Sequence, residues 1–271
     1  MTREPTPLFV LGSGRCGSTL LWRMLDAHPS IAMTNEGRIA DFLHFCVQIA
    51  GLPAYDVQEF PLAFPVRMHG IVAPPYVASF APMFTRAATD LFVRWYAHEF
   101  RTRDFVYFGD KLPDPYAALA VREVFPATRC IVLIRDPRDT YGSVRRFAAR
   151  SDIQERNPLL EVPAPDEYAQ RWTNLYGGLA KAFTDAYWLR YEDLVADPGG
   201  ELRRLLDALG LPFEGLPDLR SGDAGFDKHG TSPTPDASVG RHRVDLDDAE
   251  RASFDRICGD WLDRYGYRDP R

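Results

Sequence analysis

Apolar residues along the chain fall into short unbroken runs separated by longer stretches with helical spacing. Leu8 to Leu11 is the first run and reads as a short buried strand. It breaks at a glycine-rich turn, and an amphipathic helix begins near Ser18. Asp26-Ala27-His28-Pro29 closes that helix, with His28 satisfying backbone groups at the turn. Ser30 to Thr34 reads as a second strand ending at Asn35-Glu36-Gly37. Helical spacing returns over 38–50. From Leu52 to Pro82, six prolines interrupt regular structure while Tyr55, Phe60, Phe64, Tyr76 and Phe80 keep the segment apolar, which predicts an ordered lid rather than a disordered linker.

Periodicity resumes from about Phe84 to Arg101, with Leu91, Trp95 and His98 on one face. Phe105 to Phe108 predicts a third strand ending at Gly109-Asp110-Lys111, and Pro115 opens another helix. Arg129 to Ile134 is the clearest buried strand, followed by Arg135-Asp136-Pro137-Arg138-Asp139 and a helix to about Ala149. A polar linker from Ser151 to Pro165 precedes a helix over roughly Asp166 to Phe183. The fifth strand covers Ala186 to Arg190, and Tyr191-Glu192-Asp193 leads into helical segments that end at Gly210. Residues 215–243 are rich in Gly, Pro, Ser and Asp, and a final helix runs from about Asp247 to Tyr265.

Strands alternating with helices predict an α/β fold: a three-layer α/β/α arrangement around a mostly parallel central sheet, forming a single domain over residues 1–271. In such sheets ligands lie beyond the carboxyl ends of the strands. The glycine loop, Glu36, Lys111, Arg135 and Tyr191 each follow a predicted strand.

Composition narrows the function classes. Hydrophobic residues at 45% and charged residues at 26% describe an ordinary soluble protein, and a formal net charge of −6 argues against a nucleic-acid partner while leaving room for a local basic pocket. No apolar run approaches membrane-spanning length and no signal peptide is visible, so a cytoplasmic location is expected. Cys16, Cys46, Cys130 and Cys258 are scattered, which suggests reduced thiols rather than disulfides or a zinc site.

The loop after the first strand carries the chemistry. Gly12, Gly14 and Gly17 let the backbone turn sharply, so that free amides at the helix start converge on one spot suited to an anion. Arg15 adds a fixed charge, and Ser18 and Thr19 add hydroxyls. Cys16 fits as a small packing residue, because no base lies near it in sequence. Gly12-x-Gly14-x-x-Gly17 satisfies the dinucleotide fingerprint, with Glu36 near the position of a ribose-binding acid. A Walker A loop needs Lys before Ser or Thr, and here Gly17 is followed directly by Ser18.

Residues 8–36 also resemble the opening of sulfotransferases that use 3′-phosphoadenosine 5′-phosphosulfate (PAPS), closest to the tyrosylprotein and bacterial branches, in which a strand, Gly-x-x-Arg-Ser/Cys-Gly-Ser/Thr-Thr and Leu-Asp-Ala-His-Pro recur. Ile131 to Ser143 resembles the family's 3′-phosphate site, with Arg135 and Ser143 at the expected spacing. Lys111, Arg190-Tyr191-Glu192-Asp193-Leu194, Thr231-Ser232 and Ser238-Val239-Gly240-Arg241 extend the match along the chain. Phe147 departs from it, standing where the tyrosylprotein pattern has an arginine after Ser143.

The resemblance implies a P-loop-like fold and a donor held at both ends. Ser13, Gly14, Arg15, Cys16, Gly17, Ser18 and Thr19 take the phosphosulfate; Arg135 and Ser143 take the 3′-phosphate; Tyr191, Ser238, Gly240 and Arg241 complete the nucleotide site. Arg15 and Lys111 are expected to neutralise the reacting groups and Glu36 to serve as base, its pKa raised by burial, with His69 and His44 as alternatives. Segment 52–83 becomes an acceptor-side lid and 215–243 a nucleotide-covering loop. The activity expected is in-line sulfuryl transfer from PAPS to a hydroxyl, less readily an amine, of a small-molecule or peptide acceptor, without a metal. A nicotinamide-dependent oxidoreductase and a non-catalytic nucleotide-binding module are the competing readings.

Overall fold

The computed structural model describes residues 5–37, 77–100, 104–111, 118–119, 121–122, 125–157, 159–218 and 230–268. Its elements are β1 (Thr6–Leu11), α1 (Ser18–Asp26), β2 (Ile31–Asn35), α2 (Val77–Glu99), β3 (Tyr107–Lys111), β4 (Arg129–Ile134), α3 (Pro137–Ala148), α4 (Ser151–Arg156), α5 (Pro165–Ala182), β5 (Tyr187–Arg190), α6 (Tyr191–Ala196), α7 (Pro198–Leu209), α8 (His242–Asp245), α9 (Asp248–Ile257) and α10 (Gly259–Arg264).

The five strands form one sheet in the order β2-β3-β1-β4-β5, and every neighbouring pair is parallel. Both faces are covered, which is why the strands read as unbroken apolar runs. Alternation along β1 divides the core. Phe9 and Leu11 face α3, α5, α9 and α10 through Tyr141, Trp172, Tyr176, Phe254 and Leu262. Leu8 and Val10 face α1, α6 and α7 through Leu21, Leu25, Leu194, Leu202 and Leu206. A third cluster packs Phe92 and Tyr96 of α2 on Phe108 and Ala32. The α/β/α layering expected from the sequence is the layering found.

Several elements differ from expectation. Helix α2 begins at Val77, so Pro82 lies inside it rather than in the expected irregular segment. Its buried stripe is Phe92 and Tyr96, while Leu91 and Trp95 are 58% and 37% exposed and His98 is also exposed. Both stripes are apolar at i, i+4 spacing. A polar handle distinguishes them, because the Tyr96 hydroxyl donates to the Gly109 carbonyl at 2.7 Å and lies 3.0 Å from Thr34 Oγ1.

Strand β3 is shifted toward its carboxyl end, taking in Gly109, Asp110 and Lys111. Gly-Asp-Lys resembles a turn, yet Asp110 is fully buried and a β-carbon at Gly109 would run into the Leu8 carbonyl. The first part of the polar linker is helix α4, and the last helix is divided into α9 and α10 at Cys258. The helix over 38–50, the segment 52–76 of the lid, the Pro115 helix start, Cys46, His44 and His69 lie outside the described residues.

Candidate active site

Parallel strands bring all their carboxyl ends to one edge, and each tip contributes a side chain there. In sheet order the row is Glu36 after β2, Lys111 at the end of β3, the glycine loop after β1, Arg135 after β4 and Tyr191 after β5. Val10 and Asn35 both pair with Lys111, so the β2 and β3 tips are level, whereas Val10 pairs with Ile131 and the paired β4 and β5 tips at Ile134 and Arg190 lie three residues further along. At the spacing of parallel strands the row spans roughly 14 Å across the sheet from β2 to β4, with that stagger in addition. A cavity of about 340 Å³ opens over it.

The glycine loop is shaped by its neighbours. A β-carbon at Gly12 would press on the Leu133 carbonyl and Cys16 Sγ, and one at Gly17, where φ is 96°, would strike the Tyr191 ring. Gly14 differs: a β-carbon there meets nothing within 4 Å, and the residue lines the cavity. Its bare backbone leaves room for a ligand rather than for protein. Ser13 is held from behind, its amide donating to the Tyr176 hydroxyl at 3.1 Å while that hydroxyl donates to the Leu133 carbonyl at 2.8 Å.

Cys16 is fully buried in the α1-side core, and burial pushes its thiol above the usual cysteine range. That is the packing role its sequence context suggested. The Ser18 amide and hydroxyl act against that shift without reversing it. His28 is likewise structural: Nδ1 accepts from the Ser30 amide at 3.1 Å and Nε2 donates to the Pro212 carbonyl at 3.0 Å.

At the β2 end of the row, Lys111 Nζ lies 2.8 Å from Glu36 Oε1 and donates to Thr19 Oγ1 at 3.0 Å. The side chain of Glu36 is 55% exposed, so burial does not prepare it as expected. The cause is its position just past the edge strand, in the left-handed region at φ 55°.

At the other end, Arg135 is 4% exposed. Nη1 donates to the Arg15 carbonyl at 3.1 Å and Nη2 to the Ser238 carbonyl at 2.6 Å, and the guanidinium lies 4.5 Å from the centre of the Tyr191 ring. Neither nearby aspartate neutralises it. Asp136 pairs with Arg138 at 2.8 Å, and Asp139 with His242 at 2.9 Å. A buried guanidinium hydrogen-bonded to carbonyls rather than to a carboxylate favours an anion in the cavity.

Arg15 is in the left-handed region at φ 68°. Its Nε donates to Ser143 Oγ at 3.4 Å, and its guanidinium lies 4.7 Å from the centre of the Phe147 ring. Burial, then the charge of Arg135, lowers its pKa. Among the described residues lining the cavity, Arg15, Lys111 and Arg135 are cationic and Glu36 is the one carboxylate.

Ser238 and Tyr191 line the cavity and bond to each other, with 3.0 Å between hydroxyl oxygens. Gly240 and Arg241 do not line it. The Gly240 amide donates to Asp139 Oδ2 at 2.6 Å, and Arg241 lies against Ser232 and Asp245. Thr231, Ser232, Thr234 and Pro235 form the remaining wall, with Thr231 Oγ1 2.8 Å from Ser143 Oγ. Thr231-Ser232 carried a sequence signal. Phe147 and Tyr176 were missed as contributors, one visible only as a departure from a pattern and the other only as a helix core residue.

Known proteins provide the comparison. A curated relative, the omega-hydroxy-beta-dihydromenaquinone-9 sulfotransferase Stf3 of Mycobacterium bovis and Mycobacterium tuberculosis, is 28% identical across 96% of this chain and 75% of its own length. The sulfotransferase domain of the Synechococcus PCC 7002 olefin synthase shares the fold, with a TM-score of 0.57 and 21% identity over 99% of this chain and 97% of that one. The sulfotransferase domain from the curacin biosynthetic pathway does so at a TM-score of 0.53 and 20% identity, covering 99% of this chain and 100% of the other. The family model described as the sulfotransferase family matches residues 7–215, from β1 past α7 and including the whole cationic row, and the chain belongs to that family.

Proposed function

We propose that the protein transfers the sulfuryl group of PAPS to a hydroxyl of a small-molecule or peptide acceptor, an amine being the less favoured acceptor group. The observation that carries this reading is the cavity wall with three cations and one carboxylate, spread along the strand tips. A donor charged at both ends of its ribose suits such a row. The open space at Gly14 suits close approach of a phosphate group to the loop. The hydroxyl-bearing substrate in the name of the mycobacterial relative supports a hydroxyl acceptor.

On this reading the β4 end of the row holds the 3′-phosphate and the β2 end faces the acceptor. Arg135 and Ser143 bind the 3′-phosphate, and Tyr191 and Ser238 fix the Arg135 guanidinium. Lys111, tied to the first turn of α1 through Thr19, neutralises charge that grows on the leaving phosphate. Glu36 accepts the hydroxyl proton while the acceptor oxygen bonds to sulfur, the bridging sulfur–oxygen bond breaks and 3′-phosphoadenosine 5′-phosphate (PAP) leaves. Segment 52–83 is assigned to the acceptor side, and the wall from 230 to 238 belongs to the nucleotide-covering segment 215–243. All of this lies within one domain of 1–271. Among the described residues no helix is long and apolar enough to cross a membrane, and a cytoplasmic enzyme is part of the proposal.

Calorimetry with PAP, NAD and ATP tests the donor assignment. PAP is expected to bind selectively, and stronger binding of NAD would restore the nicotinamide reading. Transfer of labelled sulfate from PAPS to primary alcohols and phenols tests catalysis. Binding of PAP without transfer to any acceptor class, amines included, would favour a nucleotide-binding module.

A further inference from the structure

Tyr176 of α5 is a fully buried tyrosine whose hydroxyl takes no part in the proposed transfer. Its ring packs against Trp172, Trp188 and Trp261, with ring centres 4.4, 6.3 and 6.2 Å away, and a phenylalanine would fill that space equally well. Burying the hydroxyl is costly unless it is bonded, so its partners show what it is for. It accepts from the Ser13 amide at 3.1 Å and donates to the Leu133 carbonyl at 2.8 Å, and Ser13 Oγ lies 3.3 Å from it. Burial pushes its pKa well above the usual tyrosine range, so it stays protonated and able to donate.

The bridge sits where β1 and β4 part. Their last pair is Leu11 with Val132, and Ser13 and Leu133 lie just beyond it. Strand β1 leads into α1 on one face of the sheet and β4 into α3 on the other, which makes this the crevice where an open α/β sheet admits a ligand. A β-carbon at Gly12 would press on the Leu133 carbonyl, so the two chains are still close at that residue. One residue later, two hydrogen bonds in series through one oxygen hold the Ser13 amide and the Leu133 carbonyl further apart than a direct bond of about 2.9 Å would. The Ser13 carbonyl accepts from the Cys16 amide at 3.3 Å, closing the turn that carries Gly14 and Arg15. Ser13 is thereby fixed through both its amide and its carbonyl.

We propose that the Tyr176 hydroxyl is a positioning group for the 5′ end of the donor. By taking the Ser13 amide from behind the loop and keeping the crevice open, it presents Gly14 and the start of α1 to the phosphosulfate. The Ser13 amide is then bound to protein rather than to ligand. This rests on PAPS as the donor.

PAP and adenosine 3′-phosphate differ only in the 5′-phosphate, so the ratio of their dissociation constants reads the loop alone. Tyr176→Phe is expected to weaken PAP binding about 5- to 100-fold, the range for a buried donor and acceptor left without their partner, and to change adenosine 3′-phosphate binding less than twofold. A native ratio in Tyr176→Phe would overturn the proposal, whether both affinities are kept or both fall together. The native protein supplies a second measurement that stands even where the variant folds poorly. In amide hydrogen exchange followed by NMR, the Ser13 amide should be protected at least about 100-fold in the free protein, because its acceptor is already in place. An amide unprotected in the free protein and protected only with PAP would belong to the ligand, which also overturns the proposal. Native protein that binds PAP no more tightly than adenosine 3′-phosphate would instead sink the donor reading, and this inference with it.

Discussion

Lys111 Nζ lies 2.8 Å from Glu36 Oε1, and the two partners differ in environment, the lysine side chain being 9% exposed and the glutamate 55%. The buried partner is the cation. Its second contact, to Thr19 Oγ1, connects the carboxylate at the edge strand to the first turn of α1. Proposed base and anion loop are thereby joined through one ammonium, which can respond to charge on either side.

Replacing the carboxylate with an amide removes the proton acceptor and preserves shape. Glu36→Gln is expected to lower sulfate transfer about 10²- to 10⁴-fold, the usual contribution of a general base, with PAP affinity within threefold of native. Lys111→Met should reduce both transfer and PAP affinity, since its charge faces the loop. A Glu36→Gln enzyme that retained more than a tenth of native kcat would exclude Glu36 as the base.

Two glycines of one loop should behave oppositely. Gly12→Ala forces a methyl against the Leu133 carbonyl and Cys16 Sγ, so the fold must shift and the melting temperature should fall by several degrees. Gly14→Ala meets no protein atom within 4 Å. Its melting temperature should stay within about 2 °C of native while PAP affinity drops at least tenfold, because the methyl occupies the space a phosphate would use. An unaffected PAP affinity would show that the anion lies elsewhere.

Much of this geometry was legible in the sequence because parallel strands advertise themselves as apolar runs and end in polar residues. Arg129–Ile134 has the predicted limits, and the tips after β1, β2, β4 and β5 were placed within one residue. Lys111 was placed three residues beyond the end of a strand that in fact includes it. A buried aspartate and a glycine close to the neighbouring strand mimic a turn, and only the sheet register separates the cases. Leu91, Trp95 and His98 share a face of α2, but two apolar stripes compete on this helix, and a tyrosine hydroxyl reaching a carbonyl selects the other for burial. Arg15's direction was beyond pattern reading, since it depends on a single left-handed φ.

That left-handed conformation gives a stability test. A non-glycine residue at φ 68° costs on the order of 1 kcal/mol, and alanine carries the same cost while glycine does not. Arg15→Gly and Arg15→Ala both lose the guanidinium and should lose PAP affinity alike. Arg15→Gly should be the more stable of the two by roughly 0.5–1 kcal/mol in urea denaturation, even with glycine's larger unfolded-state entropy. An alanine variant at least as stable would mean that the loop relaxes out of this conformation.

A half-buried glutamate behind the row predicts a pH dependence. Glu192 Oε1 accepts from the Asp136 amide at 3.0 Å and Oε2 from the Tyr267 hydroxyl at 3.0 Å, and burial pushes its carboxyl up to about 7. Below the ordinary glutamate range both folded and unfolded states are protonated and no penalty arises. Between about 4.5 and 7 the unfolded state ionises first, so stability falls by about 3 kcal/mol as pH rises through that window. Glu192→Gln cannot ionise. Its melting temperature relative to native should therefore climb by several degrees from pH 4.5 to pH 8, and a pH-independent difference would refute the assignment.

Asp139 has the opposite sign and a more direct tie to the donor site. Burial alone would raise its pKa, but hydrogen bonds from the His242 ring and amide, with the charges of His242 and Arg135, hold it below the usual aspartate range. Its stabilisation is present above the ordinary aspartate pKa and is lost as pH falls through the lowered folded value. Oδ1 accepts from the His242 amide at 2.7 Å and Oδ2 from the Gly240 amide at 2.6 Å, which fixes the turn following Ser238. The Ser238 carbonyl is one of the two that hold Arg135. Asp139→Asn retains one acceptor and loses the charge, so it should cost about 2 kcal/mol in urea denaturation at pH 7. It should also speed PAP release in stopped-flow displacement, because Arg135 loses a fixed partner. The stability gap between variant and native should narrow in acid, where native Asp139 also loses its charge. A destabilised variant with a native PAP release rate would separate the turn from the donor site and leave Asp139 a purely structural role.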